Sequence, residues 1–216
     1  MIKALAIDFD DTLVTDDLLS VICGIVGKEK ESRQLALDYF EGRRFGTDAL
    51  IERINFLHGV SFEQITKKLN EKDYLMSGAE ALFNFLRENK IITILNSGQL
   101  VPILEVYKQK LGINYIIGSE PKMRENVIDS ISAEDFSGPD FKLDGVKKIL
   151  AGLNISPSEL VAVGDSPADK TIFQFASRSI AFNPRNGIEE YADAIIYNDL
   201  AQAIPIIKVW QNLPSA

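Results

Sequence analysis

"LAIDFDDTLV", residues Leu5 to Val14, decides how the rest of the chain is read. Its apolar lead has the length and composition of a buried strand. Yet it ends in Asp8, Asp10 and Asp11, three carboxylates packed into four positions. Like charges this close repel and raise one another's pKa. A bound cation is the simplest charge that offsets them.

Working outward, short apolar runs alternate with amphipathic segments, the pattern of a parallel sheet covered by helices and hence of an α/β protein. Strands are predicted at 91–97, 113–119, 160–166, 179–182 and 194–197, after a first strand "IKALAIDF" at 2–9. Helices are predicted at 79–89, 100–111, 143–153, 168–176 and 199–211. Residues 121–131 read as a β-hairpin, and "SPSE" at 156–159 as a capped helical turn. Residues 15–77 break the alternation with four amphipathic helices at 16–26, 29–42, 47–58 and 61–72. They read as an inserted domain over the carboxyl edge of the sheet, where open α/β sheets bind ligands. The expected organisation is a core of residues 1–14 and 78–216 with a helical cap at 15–77.

The chain has 216 residues, 46% of them apolar, enough for a sizeable core. Lys and Arg number 23 against 31 for Asp and Glu, a formal net charge of −8, which argues against a nucleic-acid partner. Cys23 is the lone cysteine, so no disulfide forms within the chain and a cytoplasmic location is expected. No apolar stretch is long enough to span a membrane.

Four features fall at predicted element ends: Asp8 and Asp10, Ser97 with Gly98, Lys142, and "GDSPAD" at 164–169. In a parallel sheet these ends lie side by side. Such a set suits phosphoryl transfer. Mg²⁺ bound by carboxylates removes the repulsion between a carboxylate nucleophile and an anionic phosphate. A Lys and a hydroxyl then hold phosphoryl oxygens, and a second carboxylate moves the proton.

The set resembles the haloacid dehalogenase superfamily. "DFDDT" (8–12) is similar to its DxDxT signature, "LNSG" (95–98) to its second motif, Lys142 to its third and "GDSPAD" to its fourth. The resemblance implies a Rossmann-like three-layer α/β/α core with an inserted small α-helical cap. It implies Asp8 as nucleophile, Asp10 as general acid/base with its main-chain carbonyl on Mg²⁺, and Asp165 as a further metal ligand. Asp169 is implied to orient the metal site or Lys142, and Ser97, Gly98 and Lys142 to clamp the phosphoryl group. The cap is similar to that of the phosphoserine phosphatase branch, which implies Asp17 and Arg53 as substrate contacts. That branch has Glu where this chain has Asp17, SGG where it has Ser97-Gly98-Gln99, and Asn where it has Ala168. The implied substrate is a small phosphate ester, phosphoserine-like first. A phosphoglycolate, sugar phosphate or nucleotide, or a phosphomutase reaction, is the alternative. A receiver-type signalling module would lack the helical insertion, and a non-catalytic binding protein would not need both Asp8 and Asp10.

Plainer readings stand beside these. Asp16 and Asp17 could cap the first helix of the insertion, and Asp11 could be a solvated turn residue. Cys23 and Trp210 read as packing, Lys147 and Lys148 as a solvated face, and His58 as a cation at a helix end.

Overall fold

The structure is a computed structural model that describes residues 1–43, 46–131 and 141–212. Parts of the expected cap (44, 45) and core (132–140, 213–216) lie outside the described residues. Six strands form one parallel sheet: β1 (Ala4–Ile7), β2 (Ile92–Leu100), β3 (Tyr115–Ser119), β6 (Leu160–Gly164), β7 (Arg178–Phe182) and β8 (Ala194–Ile196). Their spatial order is β3-β2-β1-β6-β7-β8. The chain builds β2 and β3 on one side of β1, then crosses to build the other three on the opposite side. The carboxyl end of β1 therefore faces the crevice where the winding reverses. A three-layer Rossmann-like core is what the sequence leads one to expect, and it is what forms.

Strand parity assigns the two faces. Leu5, Ile7, Val161, Val163, Ile180 and Phe182 pack with α5 (Ala79–Glu88), α6 (Val101–Leu111) and α9 (Ala203–Gln211). Ala4, Ala6, Ala162 and Ala181 face α7 (Phe141–Leu153) and α8 (Lys170–Phe175). The alanines leave room for Val146, Leu150, Ile172 and Phe173 to reach the sheet, each buried. Full burial of one such larger side chain stabilises by about 1.5–3 kcal/mol.

Four helices lie between β1 and α5: α1 (Leu18–Cys23), α2 (Glu29–Phe40), α3 (Gly46–Asn55) and α4 (Phe62–Leu69). Each is shorter than its sequence pattern. The first tightens into a 3₁₀ turn at Gly24–Val26 and stops at Gly27, whose φ of +72° suits glycine. Every residue of α1 is buried, and it packs against α2, α3 and α4. Ser61 and Gln64 form the expected capping box at the start of α4.

The 121–131 segment forms a hairpin of β4 (Lys122–Arg124) and β5 (Val127–Ser130). It docks on the α3–α4 turn. Gly59 N–H donates to the Ile128 carbonyl at 2.7 Å, and Ile128 N–H to the Val60 carbonyl at 2.9 Å. His58 Nδ1 lies 2.6 Å from the Asp129 carbonyl and must carry the hydrogen there. This sole histidine ties the hairpin to the helices instead of neutralising a helix end. Among the described residues no helix is long and apolar enough to cross a membrane.

Candidate active site

Asp8 continues the face of β1 that carries Ala4 and Ala6, so it points toward α7. Its N–H donates to the Val163 carbonyl at 2.9 Å, which fixes it beside β6. Lys142 stands in the first turn of α7; the sequence pattern had placed it just ahead of the helix. A cation there opposes the helix dipole, and two carboxylates offset that cost. Lys142 Nζ donates to Asp8 Oδ1 at 2.6 Å and to Asp169 Oδ1 at 3.2 Å.

Beyond β6 the chain bends at Asp165 into a 3₁₀ turn, Pro167–Asp169. Asp169 folds back, and its Oδ2 accepts from the amides of Asp165 (3.2 Å) and Ser166 (3.4 Å). Gly164 makes room for it. A Cβ at Gly164 would stand 2.7 Å from Asp169 Cβ and closer still to its carboxyl group. Gly164→Ala is therefore expected to push Asp169 out, removing one partner of Lys142 and the acceptor of two amides. The expected cost is about 1–3 kcal/mol of stability with at least about a tenfold loss of turnover. Thermal unfolding and phosphate release check this; an unchanged melting temperature and rate would show that the contact is dispensable.

Asp8, Asp165 and Asp169 each bring one carboxylate oxygen to a common point, within 4.8 Å of one another, and all three are buried. Hard oxygen donors in this number suit a divalent cation such as Mg²⁺. Asp10 lies outside this triad by its side chain. Burial pushes the Asp8 carboxyl up to about 7, with Asp169 and Asp165 adding to the rise and Lys142 opposing it. Burial likewise pushes Asp165 up to about 6, opposed by Arg185 and reinforced by Asp169 and Asp11. Burial works against the charge on Lys142, but Asp169 and Asp8 overcome it and raise its pKa.

Arg185 is the neighbour that sequence reasoning passed over, and Asp11, read there as a solvated turn residue, is its partner. The Arg185 N–H donates to the Asp165 carbonyl at 2.9 Å. Its Nε lies 2.7 Å from Asp165 Oδ2 and its Nη2 2.8 Å from Asp11 Oδ2. The Nε contact is close enough for an ion pair but is not a hydrogen bond, and Asp165 Oδ2 accepts no hydrogen bond in the described structure. That oxygen is therefore met by the Arg185 charge, and the fit to a cation rests on the three converging carboxylates. Asp11 adopts a left-handed backbone, φ +59°, which Asp tolerates better than most residues.

These shifts give stability a sign. With folded pKa values above the ordinary 3.8, the cation-free folded protein binds more protons than the unfolded chain between about pH 4 and 7. Stability therefore falls as pH rises through that window. Glu31 and Glu159 are held below their ordinary values by Lys28 and Lys3, so they act in the opposite sense only at lower pH. EDTA-treated protein is expected to melt several degrees higher at pH 5 than at pH 7.5, about 2–4 °C per kcal/mol for a chain of this size. MgCl₂ should raise the melting temperature more at pH 7.5 than at pH 5. Equal gains at both pH values would exclude a cation held by these carboxylates.

Ser97 and Gly98 lie inside β2, which runs on to Leu100 with a register shift against β3 after Asn96. Ser97 is buried, and its Oγ accepts from the Gln99 N–H at 3.0 Å. Gln99 Nε2 donates to Asp10 Oδ1 at 3.3 Å, linking the end of β2 to the loop after β1. Burial raises the Asp10 pKa well above its ordinary value; Asp17 and Asp8 add to the rise and Arg53 opposes it. A protonated Asp10 is a proton donor. Asp17 N-caps α1, accepting from the Ser20 N–H at 3.3 Å, and pairs with Arg53 of α3. The structure thus gathers Asp8, Lys142, Asp165 and Asp169 into one cluster. It links Ser97 to Asp10 through Gln99, and sets Asp17 with Arg53 as a separate pair nearby.

The family model of haloacid dehalogenase-like hydrolases matches residues 2–174. A phosphoserine phosphatase of Methanocaldococcus jannaschii is 27% identical over 212 residues, covering 95% of this chain and 98% of the relative. One from Campylobacter jejuni subsp. doylei is 25% identical over 208 residues, covering 96% of this chain and all of the relative. A solved structure of a substrate-bound phosphoserine phosphatase complex superimposes with a TM-score of 0.82 at 24% identity, covering 95% of this chain and 98% of that one.

Proposed function

Because the chain belongs to the haloacid dehalogenase-like hydrolases and is a phosphatase of that family, we propose that it hydrolyses a small phosphomonoester through a phosphorylated Asp8. The observation that carries this reading is the 2.6 Å bond from Lys142 to Asp8, set among Asp165 and Asp169, with Asp10 two residues on. Lys142 keeps one oxygen of Asp8 fixed and leaves the other to attack phosphorus. The P–O bond to the leaving group breaks as Asp10 delivers its proton to that oxygen. Asp10, now a carboxylate, takes a proton from water as the water oxygen attacks phosphorus, which frees Asp8 and releases phosphate. The Ser97 hydroxyl and the Lys142 ammonium suit the remaining phosphoryl oxygens.

Phosphatases of this family are generally metal-dependent. Asp8, Asp165 and the Asp10 carbonyl would hold Mg²⁺, with Asp169 supporting them through Lys142 and the loop amides. When bound, the cation supplies positive charge opposite the phosphoryl oxygens.

Helices α1–α4, residues 15–77 with their linkers, act as a cap that excludes water and reads the leaving group. The first substrate to test is O-phosphoserine, since the phosphoserine phosphatases above are similar over nearly their whole length. Phosphate release from phosphoserine, phosphoglycolate, sugar phosphates and nucleotides, with MgCl₂ and with EDTA, tests the proposal. No release from any of them with MgCl₂ would refute it.

A further inference from the structure

Asn96 stands beside the nucleophile on the next strand. Ile7 of β1 pairs with Leu95 of β2, so one step further on Asn96 is level with Asp8. Strand parity sends both side chains to the face that Ala6 and Ile94 share. Asn96 is only 2% exposed, and among the described residues its Oδ1 accepts no hydrogen bond. Asn96, Asp8 and Asp169 line one void that is too tight for a water molecule, so solvent does not supply the missing donor. A buried amide oxygen left without a donor costs stability, and the mechanism above gives Asn96 nothing to do.

Lys142 has a donor to spare. Its ammonium carries three N–H groups, and the bonds to Asp8 and Asp169 use two of them. Helix α7 packs over β2 and β3, so Lys142 in its first turn reaches Asp8 from the side of the strand that carries Asn96. At rest the anionic Asp8 Oδ1 draws the ammonium toward β1. Once Asp8 is phosphorylated, that oxygen is the carbonyl of an acyl phosphate and no longer shares a full charge. Its pull on Lys142 weakens accordingly.

We propose that Asn96 is a positioning residue for Lys142: in the phosphorylated enzyme its Oδ1 accepts the third ammonium N–H and holds Lys142 in place while water attacks phosphorus. This deepens the phosphomonoesterase reading above and rests on it. A neutral amide suits the position. A carboxylate there would add a fourth like charge to the cluster and compete with Asp8 for Lys142 at rest.

Asn96→Leu and Asn96→Val remove the acceptor and keep an apolar side chain of comparable size, so one of them folds even where the other fits poorly. Three measurements follow. The melting temperature in EDTA reports the resting state, and at least one variant is expected to equal or exceed the wild type, because an unpaired amide is lost. Trifluoroberyllate with MgCl₂ mimics a phosphoryl group on a carboxylate, and its Kd by calorimetry is expected to weaken by about tenfold or more in that variant. Steady-state turnover of p-nitrophenyl phosphate reads the step affected. Slower hydrolysis of phosphorylated Asp8 lowers kcat and KM together and leaves kcat/KM within about threefold of the wild type. A lower melting temperature in both variants would make Asn96 structural and overturn the proposal. An unchanged Kd for trifluoroberyllate, an unchanged kcat, or a kcat/KM that falls as far as kcat would overturn it too. In each of those cases wild-type turnover leaves the hydrolase reading standing; a wild type that neither binds trifluoroberyllate nor turns over p-nitrophenyl phosphate would remove both.

Discussion

Asp8→Asn is expected to lower kcat by about 10³-fold or more on every substrate, because an amide cannot take the covalent role. The same change removes a charge whose burial pushes its carboxyl up to about 7. Lys142 keeps Asp169 as a partner, so the neighbourhood does not collapse. The melting temperature of Asp8→Asn at pH 7.5 without metal should therefore equal or exceed that of the wild type. Loss of rate with a retained melting temperature separates chemistry from misfolding. A variant that keeps full activity would remove Asp8 from the mechanism.

Asp10→Asn should be nearly as damaging, but selectively. A general acid contributes about 10²–10⁴-fold where the leaving oxygen needs a proton. An alkyl phosphate leaves as a strongly basic alkoxide and should show the full loss. p-Nitrophenolate is a far weaker base and should show much less in the phosphorylation step. Asp10 sits deep enough that burial, Asp17 and Asp8 all favour its protonated form. Rates on the two substrate types, compared in single turnover, give the answer. Equal losses on both would assign Asp10 to positioning and not to proton transfer.

How much of this could be read from the chain itself follows from where each residue sits. Asp8, Lys142, Asp165 and Asp169 stand at ends of elements that hydrophobic periodicity reveals, and parallel strands bring such ends together. Their convergence was therefore legible. The two-sided core was legible for the same reason, in runs such as "LVAVG". Arg185 was not. It follows β7 in an irregular segment, carries no local pattern, and matters only because that segment returns to Asp165. Asp11 reads as a turn residue, and its tie to Arg185 is tertiary. The docking of the hairpin on His58 and Gly59 is likewise invisible, because main-chain pairing between distant loops leaves no mark on side-chain order. Asp17 and Arg53 stood out only through the resemblance, as substrate contacts. That each would satisfy the other depends on Ser20 and Ser32, two buried hydroxyls whose placement only packing decides.

The separation between Asp8 and Lys142 has a consequence for synthesis. They stand 134 positions apart. At ribosomal rates of about 5–20 residues per second, roughly 7–27 s pass between the two. During that interval β1 can pair with β2, but β6 has not been made, and Asp8 has neither the Val163 carbonyl nor Lys142 to meet. The cluster closes only when the last third of the chain arrives, so phosphate release during translation would report late folding and be silent about everything earlier.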